Sequence, residues 1–322
     1  MTAAFAAVGI KIKSTADEVL AGIDHPLAIA LRSFKKSGKL ITTYGSKWVA
    51  KHVMPDGRVY PTWKQLGAAT GRMACSEPNL QQVPKDPEYR KCFVAGPGRV
   101  LVKADYSQIQ LRIAARIAKD GKMLAAYQGK QDLHLLTASA ITGKPADDVT
   151  KSDRQLAKAV NFGLLFGMGA EGLVDYARKN FGVSMTISEA QRHRSKFFST
   201  YPGLRRWHDL AGNRPSPETR TLGGRRRMNV EQYTEKLNSP VQGTEADGLK
   251  AAIALLWERR CECPSAVPVI FTHDELVIEC DEAEADKAAN WLQKAMIDGM
   301  SPLTDPVPVE VEVKIGRTWA GE

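Results

Sequence analysis

The sequence predicts an α+β fold in which a sheet is interrupted by a long helical insertion. Three observations carry this. Short apolar, β-branched runs at 99–105 and 267–279 have the length and composition of central strands. Between them, residues 132–237 read as mostly helical. After them, a helical stretch is followed by the alternating run Val309-Glu310-Val311-Glu312-Val313, which reads as a closing strand.

Along the chain, Ala16 to Ile23 and Pro26 to Tyr44 read as helices, and Pro55-Asp56-Gly57 as a turn. Thr70 to Pro84, rich in Pro, Asn and Gln, reads as an extended loop. The first strand, 99–105, leads into a helix through about Ala118. In the insertion, one helix runs from an N-cap at Asp132 to Ile141, and a second from Ser152-Asp153 to Phe166. Two more cover Glu171 to Asn180 and Ser188 to Ser199, the latter capped at Ser188. The basic turn Arg225-Arg226-Arg227 precedes a long helix from Val241 to Arg260. A strand pair at 267–279 and a helix from Glu282 to Met296 complete the pattern. There is no internal repeat or low-complexity tract.

The 322 residues suffice for one large domain or two to three small ones, and a hydrophobic content of 43% can fill a core. Lys plus Arg outnumber Asp plus Glu 45 to 36, a net +9 that points to a polyanionic partner, nucleic acid above all. Five scattered cysteines fit a reducing, cytoplasmic setting better than a disulfide framework. Cys261-x-Cys263 lacks the spacing of a zinc half-site. Met1 reads as a start, and Met1 to Ile10 is too short and lacks the basic flank of a signal peptide or a membrane span.

Two carboxylates stand out because each follows an apolar strand: Asp105 after Val100-Leu101-Val102, and Asp274 in His273-Asp274-Glu275 between Phe271 and Leu276. If the strands are neighbours, the two acids face each other at the rim of the sheet. Fixed carboxylates offer the hard oxygen ligands that suit Mg²⁺. Two such ions about 3.5–4 Å apart can activate an attacking oxygen and stabilise a leaving one. In the second helix of the insertion, Arg154, Lys158, Phe162 and Phe166 recur every four residues and share one stripe. Two cations followed by two rings suit a nucleoside triphosphate, with phosphates on the cations and base and sugar near the rings.

These segments resemble the family A DNA polymerases of the bacterial DNA polymerase I type. Asp105 to Arg112 is similar to their motif A, Arg154-x-x-x-Lys158-x-x-x-Phe162-Gly163 to motif B, and His273-Asp274-Glu275 to motif C. Thr70-Gly71-Arg72 with Pro78-Asn79-Leu80-Gln81 resembles the primer-template segment, and Asn238 to Asp247 the long palm helix. The resemblance runs in order from about residue 60 to the C-terminus. It implies a right-hand fold: an antiparallel palm sheet with packed helices (71–130 and 238–322), mainly helical fingers (131–237), and an N-terminal segment with a reduced thumb (1–70).

The resemblance also implies roles. Asp105, Asp274 and the carbonyl of Tyr106 would hold two Mg²⁺ ions, for which Mn²⁺ substitutes, with Glu275 as a supporting carboxylate. Arg154, Lys158 and His134 would meet the triphosphate, Lys158 also donating to the leaving pyrophosphate. Phe162, Phe166, Gln108 and Gln110 would surround sugar and base. Arg72, Asn238, Gln242 and His273 would contact the duplex near the primer end, and Arg225 its backbone. The implied partners are primer-template DNA, dNTPs and a processivity or replisome protein, with no membrane. The implied setting is a bacterial, phage or plasmid replication or repair enzyme associated with the nucleoid.

Three departures from the family pattern matter. Gln110 stands where the family usually has Glu, and Phe166 where it usually has a Tyr that bonds that Glu. A neutral amide relieves the cost of a poorly satisfied carboxylate while keeping its bulk, so the sugar gate is expected to persist with altered ribonucleotide discrimination. Thr234 occupies a place where an Arg commonly grips the duplex. The short N-terminal segment, without an acidic cluster, leads to the expectation of weak duplex grip and no proofreading. The expected activity is template-directed DNA synthesis. The alternatives are a ribonucleotide-tolerant polymerase for priming or lesion bypass, and a non-catalytic nucleic-acid-binding relic.

Overall fold

The computed structural model describes residues 2–213 and 215–322, so Met1, read above as a start, lies outside the described residues. The chain divides into two compact units, one formed by 1–62 with 76–78 and one by 63–75 with 79–322.

The N-terminal unit is helical: α1 (Thr2–Ala7), α2 (Asp17–Leu20), α3 (Pro26–Tyr44) and α4 (Ser46–His52). Pro26 opens α3, where its missing N–H costs nothing, and His25 Nδ1 accepts the Leu27 N–H at 3.2 Å. Phe5, Leu20, Ala28 and Leu31 form the core of this unit. The helix expected over Ala16 to Ile23 is shortened to Asp17–Leu20, because the chain turns at Gly22.

Two short strands, β1 (Thr62–Lys64) and β2 (Ala74–Ser76), and a one-turn helix α5 (Pro87–Arg90) lead to the central strand β3 (Arg99–Tyr106). Then follow α6 (Ile109–Ala118), α7 (Gly121–Gln128), α8 (Leu133–Thr142), α9 (Lys151–Leu165), α10 (Ala170–Phe181), α11 (Ile187–Thr200) and α12 (Pro202–Asn213). A two-residue ribbon, β4 (Thr219–Arg220) with β5 (Arg226–Arg227), precedes α13 (Tyr233–Glu258). The hairpin β6 (Val267–Thr272) and β7 (Glu275–Asp281), helix α14 (Ala285–Thr304) and strand β8 (Val311–Gly316) complete the chain.

The sheet has the order β6-β7-β3-β8, and each neighbouring pair is antiparallel. Val100, Val102 and Ala104 lie opposite Cys280, Ile278 and Leu276, so these six share one face. That face joins Trp291, Leu292, Ala295 and Met296 of α14 in the main core, and the Tyr106 hydroxyl donates to the Met296 carbonyl at 2.7 Å. The period of two sends Asp105 to the opposite face, between Glu275 on β7 and Glu312 on β8.

Several boundaries depart from those read in the sequence. α9 starts at Lys151, just before the Ser152-Asp153 read as its start, with Thr150 capping it through a reciprocal box with Asp153; α11 is capped at Thr186 rather than Ser188, through the same kind of box with Glu189. α13 begins at Tyr233, eight residues before the Val241 read from the local pattern and five before the Asn238 implied by the resemblance, and carries Pro240 in its interior. α14 runs to Thr304, and β8 starts at Val311 because its pairing with β3 begins at Tyr106. α7 and α12 had no counterpart in the sequence reading. Among the described residues, no helix is long and apolar enough to cross a membrane.

Candidate active site

Asp105 is the penultimate residue of β3, and Asp274 sits in the two-residue turn between β6 and β7. The two are joined through the main chain: the Tyr106 N–H donates to the Asp274 carbonyl at 3.2 Å. The turn is tight because His273 is left-handed, with φ 54°. A non-glycine residue there stores about 1–3 kcal/mol of strain, a cost seen most often at functional positions.

Burial raises the carboxyl pKa of Asp105 to about 6, helped by the neighbouring charge of Glu275. Burial likewise raises that of Asp274 to about 7, with the charges of Asp105 and Glu245 adding to it. One oxygen of Asp105 is buried without a hydrogen-bond partner. Such an orphan is costly unless a cation or proton takes it up. Among the described residues no three His, Cys, Asp or Glu side chains form a metal cage. The orphaned oxygen of Asp105 suits Mg²⁺, which binds through one or two carboxylates and completes its shell with water and substrate phosphate.

Glu275 faces Asp105 across the strand pair but is itself tied down. Arg90 Nη1 donates to both its oxygens at 3.1 and 3.3 Å, and Trp319 Nε1 donates at 2.7 Å. The Arg90 guanidinium stacks on the Trp319 ring, 4.2 Å from its centroid.

The stripe on α9 forms as spaced. Arg154 Nε donates to Asp132 at 2.8 Å, pinning α9 to the N-cap of α8. Burial would raise the Asp132 carboxyl, but the Arg154 contact and the His134 N–H outweigh it and hold it low. Lys158, half-buried, makes no hydrogen bond with the described residues. His134 is buried, and burial lowers its pKa to about 4, so the ring is neutral at pH 7. Its Nδ1 lies 2.8 Å from the Asn161 amide nitrogen, which donates to it and leaves the ring proton on Nε2. The Phe162 ring packs 5.8 Å from that imidazole.

Phe162 and Phe166 line a cavity of about 360 Å³ with Gln110, Met168, Thr234 and Asn238. Residues from motif A, from the α9 stripe and from α13 thus share one pocket. Gln108, left-handed at φ 53°, opens α6 and accepts from the Tyr127 hydroxyl at 3.4 Å.

Arg72 lies beside His273, Gln81 and Phe271. Its loop is held from both sides. Gln81 Nε2 donates to the Met73 carbonyl at 3.3 Å, and Arg225 Nη2 donates to the Thr70 carbonyl at 2.7 Å. Gly71 has φ 90°, and a Cβ there would meet the Arg225 guanidinium at 2.4 Å. Arg225 is further fixed by Asp247 at 2.7 Å, Arg226 by Glu218, and Arg227 by Glu235 at 2.6 Å. The basic turn is therefore built into the framework. Gln242 lies four residues past Asn238 on the same face of α13.

Sequence reasoning missed Arg90, Trp319, Asn161 and Glu245, all buried polar or aromatic partners of residues it named. Only Glu245 had a legible signal: an acid set among the small, uncharged residues Gly243, Thr244 and Ala246.

A four-stranded antiparallel sheet with a helical block inserted after its central strand, and an acid pair at its rim, defines a right-hand polymerase fold of the α+β class. The POL domain of Pol1 from M. smegmatis, in complex with DNA primer-template and dNTP, matches it with a TM-score of 0.85 at 28% identity, covering 99% of this chain and 63% of that one. The DNA polymerase family A pattern matches residues 6–321, and the chain belongs to that family. DNA polymerase I of Aquifex aeolicus is 38% identical over 91% of this chain and 50% of its own. The thermostable DNA polymerase I of Thermus aquaticus is 34% identical over 95% of this chain and 38% of its own. The chain thus spans half or less of the length of these curated relatives.

Proposed function

We propose that the chain is the synthetic core of a DNA-directed DNA polymerase, adding deoxynucleotides to a primer 3′-OH. The observation that carries this is the half-buried pair Asp105 and Asp274, linked by the Tyr106 N–H to the Asp274 carbonyl, with one Asp105 carboxylate oxygen left without a hydrogen-bond partner. Family membership supports it, as does the likeness to a POL domain solved with primer-template and dNTP.

In this reading Asp105, Asp274 and the Tyr106 carbonyl hold Mg²⁺. When bound, the two ions supply activation of the primer oxygen and stabilisation of the charge leaving with pyrophosphate. The chain's own groups do the rest. Lys158 and Arg154 bind the triphosphate as fixed cations. Neutral His134 donates from Nε2 to a phosphate oxygen. Phe162 and Phe166 wall the sugar and base within the pocket they share with Gln110. Arg72, Gln242 and His273 face the primer end, where minor-groove acceptors common to all correct pairs are read. Glu275 acts as a positioning residue whose charge, held by Arg90, keeps the Asp105 carboxyl receptive to a cation. Arg225 serves the duplex indirectly by fixing the loop of Arg72. The proposed subdomains are the palm at 71–130 and 238–322, the fingers at 131–237, and a reduced thumb before them.

Single-nucleotide incorporation opposite each of the four template bases tests the reading. Incorporation of the complementary dNTP in each case is expected; incorporation indifferent to the template base refutes it. The same gels report any shortening of the primer 3′ end.

A further inference from the structure

Glu245 is fully buried on α13, seven residues past Asn238. Its Oε2 accepts two N–H groups of Arg72, one of them at 3.1 Å from Nε. Its Oε1 accepts the Gln110 side-chain amide at 3.0 Å. One carboxylate therefore joins the arginine beside His273 to the amide that walls the nucleotide pocket. The network is chemically exacting. A buried carboxylate needs donors on both oxygens, and Gln110 has donors where Glu has none. A Glu at 110 would set two carboxylates against each other at hydrogen-bond distance. The amide at 110 thus answers a carboxylate that is already present.

We propose that Glu245 is a positioning residue for sugar selection: it fixes the Gln110 amide, with its nitrogen toward α13, and couples that pocket wall to Arg72 at the primer end. With the nitrogen committed, the Gln110 carbonyl is the group left to meet a sugar hydroxyl. The inference rests on the proposed polymerase reading for its kinetic consequence, but not for the coupling itself.

A double-mutant cycle tests it, using Gln110→Glu, Glu245→Gln and the double variant of the full chain. Thermal melts without substrate read the coupling, and steady-state kinetics read KM and kcat for dNTP and rNTP. Gln110→Glu alone should lower the Tm and raise the dNTP KM roughly 10-fold or more. Adding Glu245→Gln should restore the Tm and most of the KM, because one carboxylate and one amide again face each other. The dNTP-to-rNTP preference should shift in Glu245→Gln while primer-template Kd changes less. Additive effects on Tm overturn the coupling. Coupled Tm values with additive KM values and an unmoved sugar preference overturn the role in selection. A wild-type chain without any incorporation sinks the polymerase reading, and the melts still decide the coupling.

Discussion

Replacing Arg90 by Ala tests the support beneath the acid pair. Arg90 and Glu275 are an ion pair whose side chains are only 8% and 9% exposed, so water would hardly compensate either charge left alone. Removing one partner of such a pair costs about 3–5 kcal/mol. The stacking of Arg90 on Trp319 is lost as well, adding up to about 2 kcal/mol. At about 2–4 °C per kcal/mol for a domain of this size, the melting temperature should fall on the order of 10 °C. Because Glu275 lies opposite Asp105, its unpaired charge should also push the Asp105 carboxyl further up. Melts of Arg90→Ala, Glu275→Gln and the double variant give the assay. The double should be more stable than Arg90→Ala, since it removes the stranded charge. A melt of Arg90→Ala within about 1 kcal/mol of wild type refutes the reasoning, as does a double variant that loses the sum of both singles.

The acid pair predicts a pH dependence of its own. Both carboxyls titrate above their ordinary range near 4, so their contribution to metal-free stability is full below that range. It is lost as pH rises through about 6 and about 7. Metal-free melts should show this decline, Mg²⁺ should reverse it at alkaline pH, and Asp105→Asn with Asp274→Asn should flatten it; an unchanged slope in that double variant refutes the assignment. Gly71→Ala places a Cβ at φ 90° and 2.4 Å from an Arg225 guanidinium that three partners hold in place. It should cost at least 1–2 kcal/mol, roughly, and weaken primer-template binding through Arg72. A variant that melts and binds like wild type removes the clamp from the account.

The strands that carry the two acids were legible because apolar, β-branched runs of strand length announce buried strands. The α9 stripe was legible because a spacing of four survives any tertiary context. The start of α13 was not, since Pro240 argues locally against a helix and only packing keeps it there. Thr186 lost to Ser188 because a capping box is recognised only by both its partners, here Thr186 and Glu189 together. The surroundings of Glu275 were hidden for a different reason. Arg90 and Trp319 lie 185 and 44 residues away in sequence, and no local pattern links them to it. Gln110 was visible as a substitution, but its donor role depends on Glu245, 135 residues downstream.

The central claim, that Asp105 and Asp274 form the metal-dependent centre of nucleotide addition, is tested most directly by primer extension with the wild type, Asp105→Asn and Asp274→Asn, with and without Mg²⁺. The account predicts extension by the wild type only with the metal, and a loss of roughly 10³-fold or more in either variant. Both variants should retain the wild-type melting behaviour in acid, where the carboxyls are neutral, and should still bind primer-template. Extension by either variant at a rate near that of wild type, or none by the wild type with any nucleotide and metal, would contradict it.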